Sequence, residues 1–327
     1  MSARIKVRDL AEVLDPIQDE MALVEARMRD TFTGEEDPLR GIIGELLDSG
    51  GKRIRPALVI LTSRFHETDR DSVISIAASV ELFHTATLVH DDAIDGSHLR
   101  RGRPTVNHAW DDQVAVLVGD NLFSRAASLS ADVANPELVR LLAETVLTIS
   151  SGELYEALRD GHEIPTSEEY HARIERKTAA LFAAACEGGA ILSDAPEAEV
   201  SALEQYGRDL GIAFQIVDDV LDFAGREDIL GKPIGSDLRQ GTVTLPAIYY
   251  LREHPLSAEL GEVLLRGDGS RLDGLVNAIR SSPSTDDCMA EARSHTEAAK
   301  RALEPLPPGS NRQVLSDLAD ALLIRKR

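Results

Sequence analysis

The chain is poor in several residue classes, and each shortage narrows what it can be. Aromatic residues make up 4% of the 327 residues, and no alternating polar–apolar segment of useful length is present. Both facts argue against a β sandwich or barrel. There are two cysteines, Cys186 and Cys288, too few for a disulfide framework, so a reducing cytoplasm is the natural setting. Positive charge is short: 35 Lys+Arg face 56 Asp+Glu, for a net −21. That sign argues against nucleic acid or an anionic membrane as partner. No uncharged apolar run is long enough to cross a bilayer. Met1–Leu10 carries Arg4, Lys6 and Arg8 with no apolar stretch behind them, so no signal peptide is expected. No linker, internal repeat or low-complexity tract interrupts the chain, which reads as one domain over residues 1–327.

Helical periodicity fills the space these absences leave. Leu10, Leu14, Ile17, Met21, Val24 and Met28 alternate spacings of four and three, a stripe for helix packing or for a dimer interface. Helices are predicted over Ser72–Val89, Gln113–Asp132, Pro136–Gly152, Ser167–Gly188 and Pro196–Phe223, with Thr166 or Ser167 as N-cap of the fourth. The fold class is therefore all-α, a helix bundle with 43% hydrophobic residues for its core.

Two acidic boxes stand out against this background: Asp91-Asp92-Ala93-Ile94-Asp95 and Asp218-Asp219-Val220-Leu221-Asp222. Each follows an apolar run. On a helix, Asp91 lies over Asp95 and Asp218 over Asp222, and like charges at that spacing repel. A chain that accepts this twice beside apolar surface has a cation between the boxes. Hard oxygen ligands point to Mg2+, which takes few carboxylates and fills its remaining positions with water and phosphate. A solvated helix face is the competing reading, and the pairing of two boxes speaks against it. Asp111-Asp112 and Asp286-Asp287 lack the third acid and read as solvated.

The cations are clustered. Gly50-Gly51-Lys52-Arg53-Ile54-Arg55-Pro56 precedes an apolar helix, Arg100 and Arg101 follow the first box, Arg176-Lys177 precede an Ala-rich segment, and Lys232 follows the second box. Several point charges and forked donors suit a diphosphate. Within the first cluster Arg53 reads as the cation best placed for an ordinary surface role. His90, His98 and His108 read as structural, Arg173 and Arg176 as helix surface, and Asp120 as structural or a supporting partner.

These motifs together resemble the trans-isoprenyl diphosphate synthase (polyprenyl synthetase) family, closest to the bacterial polyprenyl diphosphate synthases. The resemblance rests on Gly51–Pro56, His84-Thr85-Ala86-Thr87-Leu88-Val89-His90-Asp91-Asp92, Arg100-Arg101-Gly102, Lys177-Thr178-Ala179, Phe214–Asp219 and Gly241-Thr242-Val243-Thr244-Leu245-Pro246, in family order. It implies antiparallel helices around a central cavity and a homodimer. It also implies Mg2+-dependent head-to-tail condensation of isopentenyl diphosphate with an allylic diphosphate, farnesyl or geranylgeranyl. Carried over by position, Asp91, Asp95 and Asp218 are metal ligands for about three Mg2+, with Asp92, Asp219 and Asp222 completing the metal network. Lys52, Arg55, His84 and Arg101 match the isopentenyl diphosphate site. Arg100, Lys177, Thr178, Gln215 and Lys232 match the allylic diphosphate site, Thr178 and Gln215 lying near the developing carbocation. Thr242 stands where many short-chain relatives have Lys, which removes one diphosphate contact.

Product length follows from the residues before the first box. In the family, bulky residues four or five positions ahead of it plug the cavity; here they are Thr87 and Ala86, both small, with Phe83 further round. An open gate predicts a medium-to-long product. About eight isoprene units at ~5 Å span ~40 Å, a helix of roughly 27 residues, within a range of roughly C30–C50. Such a lipid product is then handed to a membrane by a protein with no integral span. The rivals are a short-chain synthase, a class I terpene cyclase and a non-catalytic partner subunit. A cyclase leaves the Lys52–Arg55 cluster surplus, and a partner subunit is expected to have degraded boxes.

Overall fold

The computed structural model describes residues 8–158, 164–225, 233–253 and 269–324. Among these residues the elements are helical except for one short hairpin. Helices α1 (Leu10–Leu14), α2 (Gln18–Asp30), α3 (Leu39–Asp48) and α4 (Ile54–Thr62) lead into α5 (Arg70–Ile94). The hairpin pairs β1 (Leu99–Arg100) with β2 (Arg103–Pro104). Then come α6 (Val106–Ala109), α7 (Asp112–Asp132), α8 (Pro136–Leu158) and α9 (Ser167–Ile174). A π turn (Glu175–Ala179) joins α9 to α10 (Ala180–Leu192), followed by α11 (Glu197–Ala224). The C-terminal part holds α12 (Ser236–Arg239), α13 (Leu245–Glu253), α14 (Gly269–Arg280), α15 (Ser284–Ala302) and α16 (Ser310–Ile324).

Helix α5 is the central helix because it is apolar around most of its circumference. Asp69 caps it, accepting from the Ser72 backbone N–H at 2.8 Å. It is long and apolar enough to cross a membrane by composition alone, yet 78% of that stretch is buried among α2, α4, α7 and α10. It is a core helix. The predicted helix over Ser72–Val89 continues further, through the first acidic box, and stops at the Asp95 cap and Gly96, whose φ is +59°.

Close approach of helices around α10 and α11 depends on missing side chains. A Cβ at Gly211 would sit 2.6 Å from the Ala179 Cα, and one at Gly207 2.6 Å from the Phe182 carbonyl oxygen. The α2 stripe is spent inside the chain: Ile17, Val24 and Met28 are buried, with α2 packed on α5. Two apolar clusters result. One contains α5 with Ala86 and Val89. The other contains the end of α11, with Ile216, Val217, Val220 and Phe223, together with Tyr170 and Ala179. The first acidic box rises from one cluster and the second from the other.

Candidate active site

The π turn spans the two clusters and ties both boxes to one short piece of backbone. The Lys177 ammonium lies 3.5 Å from Asp91 Oδ2 and 2.9 Å from Glu153 Oε1 on α8. Its neighbour Thr178 donates its hydroxyl to Gln215 Oε1 at 2.8 Å, and Gln215 Nε2 donates to Asp219 Oδ1 at 2.8 Å. Two consecutive residues thus reach the first box directly and the second box through one amide. A carboxylate only accepts, so the Gln215 amide nitrogen faces Asp219 and its oxygen faces Thr178. The sequence predicts one continuous helix over Ser167–Gly188; the structure breaks its ladder at Glu175–Ala179. Single π turns commonly mark functional positions, and this one sets where Lys177 and Thr178 point.

The second box is bound into the protein beyond that link. Asp219 is buried and takes a further hydrogen bond from the Tyr170 hydroxyl at 2.7 Å. Burial pushes its carboxyl up to about 7, against the Tyr170 and Gln215 donors and with the help of Asp237 and Asp218. Asp222, also buried, accepts from Ser236 Oγ at 3.0 Å and from the Asp237 backbone N–H at 3.3 Å, which fastens the turn leading into α12. Asp218 is the half-buried member.

In the first box, burial raises the Asp91 carboxyl above the usual range; Glu153 and Asp95 push the same way and Lys177 opposes them. Asp95 is raised by burial too, with Glu153 and Asp92 adding and Lys177 opposing. Burial would lower the Lys177 ammonium, but Asp91 and Glu153 carry it above its ordinary value. Asp92 is buried, takes a hydrogen bond from Arg100 Nε at 2.7 Å, and keeps its buried Oδ1 without a hydrogen-bond partner among the described residues.

Beside the first box lies a basic pocket. Arg53, His84, Asp92, Arg100 and Arg101 line one cavity together with Glu81. The hairpin delivers two of the cations: its two-residue turn is Arg101-Gly102, with φ of +52° and +76°, the geometry that matches strand twist. The Arg101 guanidinium covers Gly51, where a Cβ would sit 2.8 Å from Nη1. Burial holds the His84 imidazole well below its ordinary value, and the Arg55, Arg101, Arg100 and Arg53 charges act in the same sense. Arg55 stacks 4.6 Å over the Phe182 ring; burial lowers its guanidinium to about 10, against the attraction of Glu81. Lys52 is half-buried at the start of the same segment.

The gate residues separate by environment. Ala86 is fully buried and Phe83 is packed 5.6 Å from the Phe123 ring, whereas Thr87 is half-buried and donates to the His84 carbonyl at 2.8 Å. Lys232 lies outside the described residues.

Three residues of the site were not singled out from sequence, and a fourth, Arg53, has a different role from the one read there. Glu81 pairs with Arg53 at 2.7 Å, both side chains nearly buried. Its signal was present: it is the lone carboxylate in the apolar run before the first box. Arg53, read as the most surface-like of its cluster, is instead held by Glu81 and by the Leu47 carbonyl at 2.9 Å. Glu153 and Tyr170 carried no signal, since a single Glu or Tyr in a helix is ordinary.

Comparison with known proteins agrees with this geometry. The family model described as Polyprenyl synthetase matches residues 36–279. The chain is 39% identical to heptaprenyl diphosphate synthase component 2 of Geobacillus stearothermophilus, over 95% of this chain and 97% of that one. It is 32% identical to octaprenyl diphosphate synthase of Escherichia coli K12, over 98% and 100%. Its fold superposes on a polyprenyl synthase from Caulobacter crescentus CB15, complexed with calcium and isoprenyl diphosphate, with a TM-score of 0.92 at 34% identity, over 98% and 99% of the two chains. The chain belongs to the polyprenyl synthetase family and is a trans-prenyltransferase that elongates prenyl diphosphates.

Proposed function

We propose that the chain condenses isopentenyl diphosphate with farnesyl or geranylgeranyl diphosphate to give a medium-to-long all-trans product, using Mg2+ at the two aspartate boxes. The observation that carries this reading is the π turn, whose Lys177 and Thr178 draw both boxes to one place.

The residues fit Mg2+. The boxes offer hard carboxylate oxygens, burial raises both Asp91 and Asp95 with Glu153 adding to each, and Asp92 Oδ1 is buried without a hydrogen-bond partner among the described residues. On this reading Asp91, Asp95 and Asp218 hold about three ions, while Asp92, Asp219 and Asp222 orient them from behind. When bound, Mg2+ compensates the negative charge that develops on the leaving diphosphate. Arg100, Lys177 and Lys232 hold that diphosphate. Lys52, Arg55, Arg101 and a neutral His84 hold isopentenyl diphosphate, Arg101 and His84 from the lining of the basic pocket. Thr178 and Gln215, their oxygens fixed by the relay to Asp219, face the carbocation. Helix closure around the pocket keeps water from capturing it.

The same reading makes residues 1–327 one catalytic domain working in the cytoplasm as a homodimer. Support for the dimer is an exposed apolar face on α7 and α8, with Leu117, Leu147, Leu154, Tyr155 and Leu158 each more than half exposed. A heteromeric partner is the second reading, because the Geobacillus stearothermophilus and Bacillus subtilis relatives are named component 2. One experiment separates the possibilities. Purified chain is incubated with Mg2+, isopentenyl diphosphate and farnesyl or geranylgeranyl diphosphate, and its mass in solution is measured by light scattering. Elongation by a dimer of this chain alone is expected. Hydrocarbon release without use of isopentenyl diphosphate, or turnover only after a second protein is added, would overturn the reading.

A further inference from the structure

Outside the aspartate boxes, His171 on α9 meets Glu291 and His295 on α15. The ligand-type atoms of the three side chains all lie within 4.8 Å of one another. We propose that they form a second metal site, for a borderline divalent transition ion of the Zn2+ class, separate from the Mg2+ boxes.

The argument rests on how the two imidazoles are held. His171 Nδ1 faces the Ser167 carbonyl oxygen at 2.6 Å. A carbonyl only accepts, so Nδ1 carries the hydrogen. His295 Nδ1 faces Asp209 Oδ1 at 2.8 Å, and the other Asp209 oxygen accepts from Gln205 Nε2 at 2.8 Å. Each ring is therefore fixed through Nδ1 by an oxygen acceptor; without metal the His171 Nε2 is paired with Glu291 Oε1, so an entering ion must displace the proton held between them. Oxygen acceptors behind the ring impose this same tautomer on metal-binding histidines. Glu291 and His295 are four residues apart and share one face of α15. The Tyr249 hydroxyl donates to Glu291 Oε2, which directs Oε1 to His171 Nε2. All three ligand residues are half-buried, open enough for an ion to enter and closed enough to hold it.

Two imidazoles and one carboxylate suit Zn2+, Co2+ or Fe2+, whereas Mg2+ and Ca2+ prefer an all-oxygen set. The site and the boxes therefore sort metals by ligand type, and Mg2+ excess does not block this one. Three protein ligands leave a fourth position for water. The location gives the ion a structural task. Helices α9 and α15 both pack on α11. Tyr170, the donor to Asp219, is next in the chain to His171, and their rings stand edge-on at 5.4 Å. An ion here clamps α9 to α15 and steadies the Tyr170 hydroxyl behind the second box.

The test is a Co2+ titration of the purified full chain in excess Mg2+, read by visible absorption and followed by Zn2+ competition. We expect saturation at one equivalent per chain, displacement by Zn2+, and an apparent affinity reduced roughly 10–100-fold or more in His171→Ala and in His295→Ala. Zn2+ raises the Tm of the wild type and not of the variants. Glu291→Gln keeps the side-chain shape and the Tyr249 contact, and it reads the same loss if a histidine variant fails to fold. Absence of a saturable Co2+ spectrum in the wild type, or an unchanged spectrum in the variants, shows an ordinary His–Glu ion pair and overturns the proposal.

Discussion

Tyr170→Phe probes the second box with the least disturbance. It removes one oxygen and keeps a ring that is fully buried, so packing is preserved. Asp219 loses the donor at 2.7 Å and keeps Gln215 at 2.8 Å. A hydrogen bond to an ionised group contributes about 1.5–3 kcal/mol and one between neutral groups about 0.5–1.5 kcal/mol. Ionised Asp219 thus loses ~1–2 kcal/mol more than protonated Asp219, which at ~1.4 kcal/mol per unit raises its carboxyl by about one unit. It starts at about 7, so the variant titrates about one unit higher. The folded value lies above the ordinary 3.8. The stability linked to this carboxyl is therefore full below the unfolded value and is lost as pH rises through the folded one. In the variant that loss continues about one unit further. Denaturant unfolding in metal-free buffer measures it: relative to wild type, Tyr170→Phe is destabilised by ~1 kcal/mol at acid pH and by ~2–3 kcal/mol at alkaline pH. An equal loss at both pH values, or a larger one in acid, would refute the assignment of Tyr170 as the donor that sets the charge of Asp219.

Other predictions follow from single contacts. Gly119→Ala places a Cβ 2.1 Å from His90 Nε2, so the His90 ring must turn away and give up the Val116 carbonyl at 3.1 Å; overpacking of about 1–3 kcal/mol lowers the Tm by several degrees in calorimetry. Glu81→Gln leaves Arg53 with no carboxylate closer than Glu25 at 3.7 Å; it costs about 3 kcal/mol of stability and raises KM for isopentenyl diphosphate more than KM for the allylic substrate. Thr87→Phe, at a half-buried position, shortens the product read by chromatography while the protein stays folded. Ala86→Phe, fully buried, destabilises first.

The sequence made legible whatever resides in residue type and spacing. Asp91 through Asp95 and Asp218 through Asp222 announce divalent-metal chemistry because carboxylates at helical spacing beside apolar runs have few other uses. The helices were legible because apolar periodicity follows directly from burial. What stayed hidden depends on the backbone or on distant partners. The break at Glu175–Ala179 leaves no trace in periodicity, since a π turn shifts the register by one residue inside an Ala-rich run. Tyr170 and Glu153 are ordinary until folding brings Asp219 and Lys177 against them. Arg53 resembled a surface cation because a run of Lys and Arg after two glycines looks solvated, and only the lone Glu81 in an apolar helix signalled its partner. The Leu10–Met28 stripe fits intramolecular packing and a dimer face equally well as a pattern; α5 takes up its buried members, and most of the exposed large apolar residues among those described lie on α7 and α8 instead.

The central claim is that the two boxes, joined through Lys177 and Thr178, act as one unit. The direct measurement is kcat/KM for Asp91→Ala, Asp218→Ala and the double variant, each checked for folding by circular dichroism. Groups that act together lose their effect together. Each single variant is expected to fall by orders of magnitude and the double to fall no further than the worse single. A double variant whose loss is the product of the two singles, or a single variant with near-wild-type turnover, would contradict it.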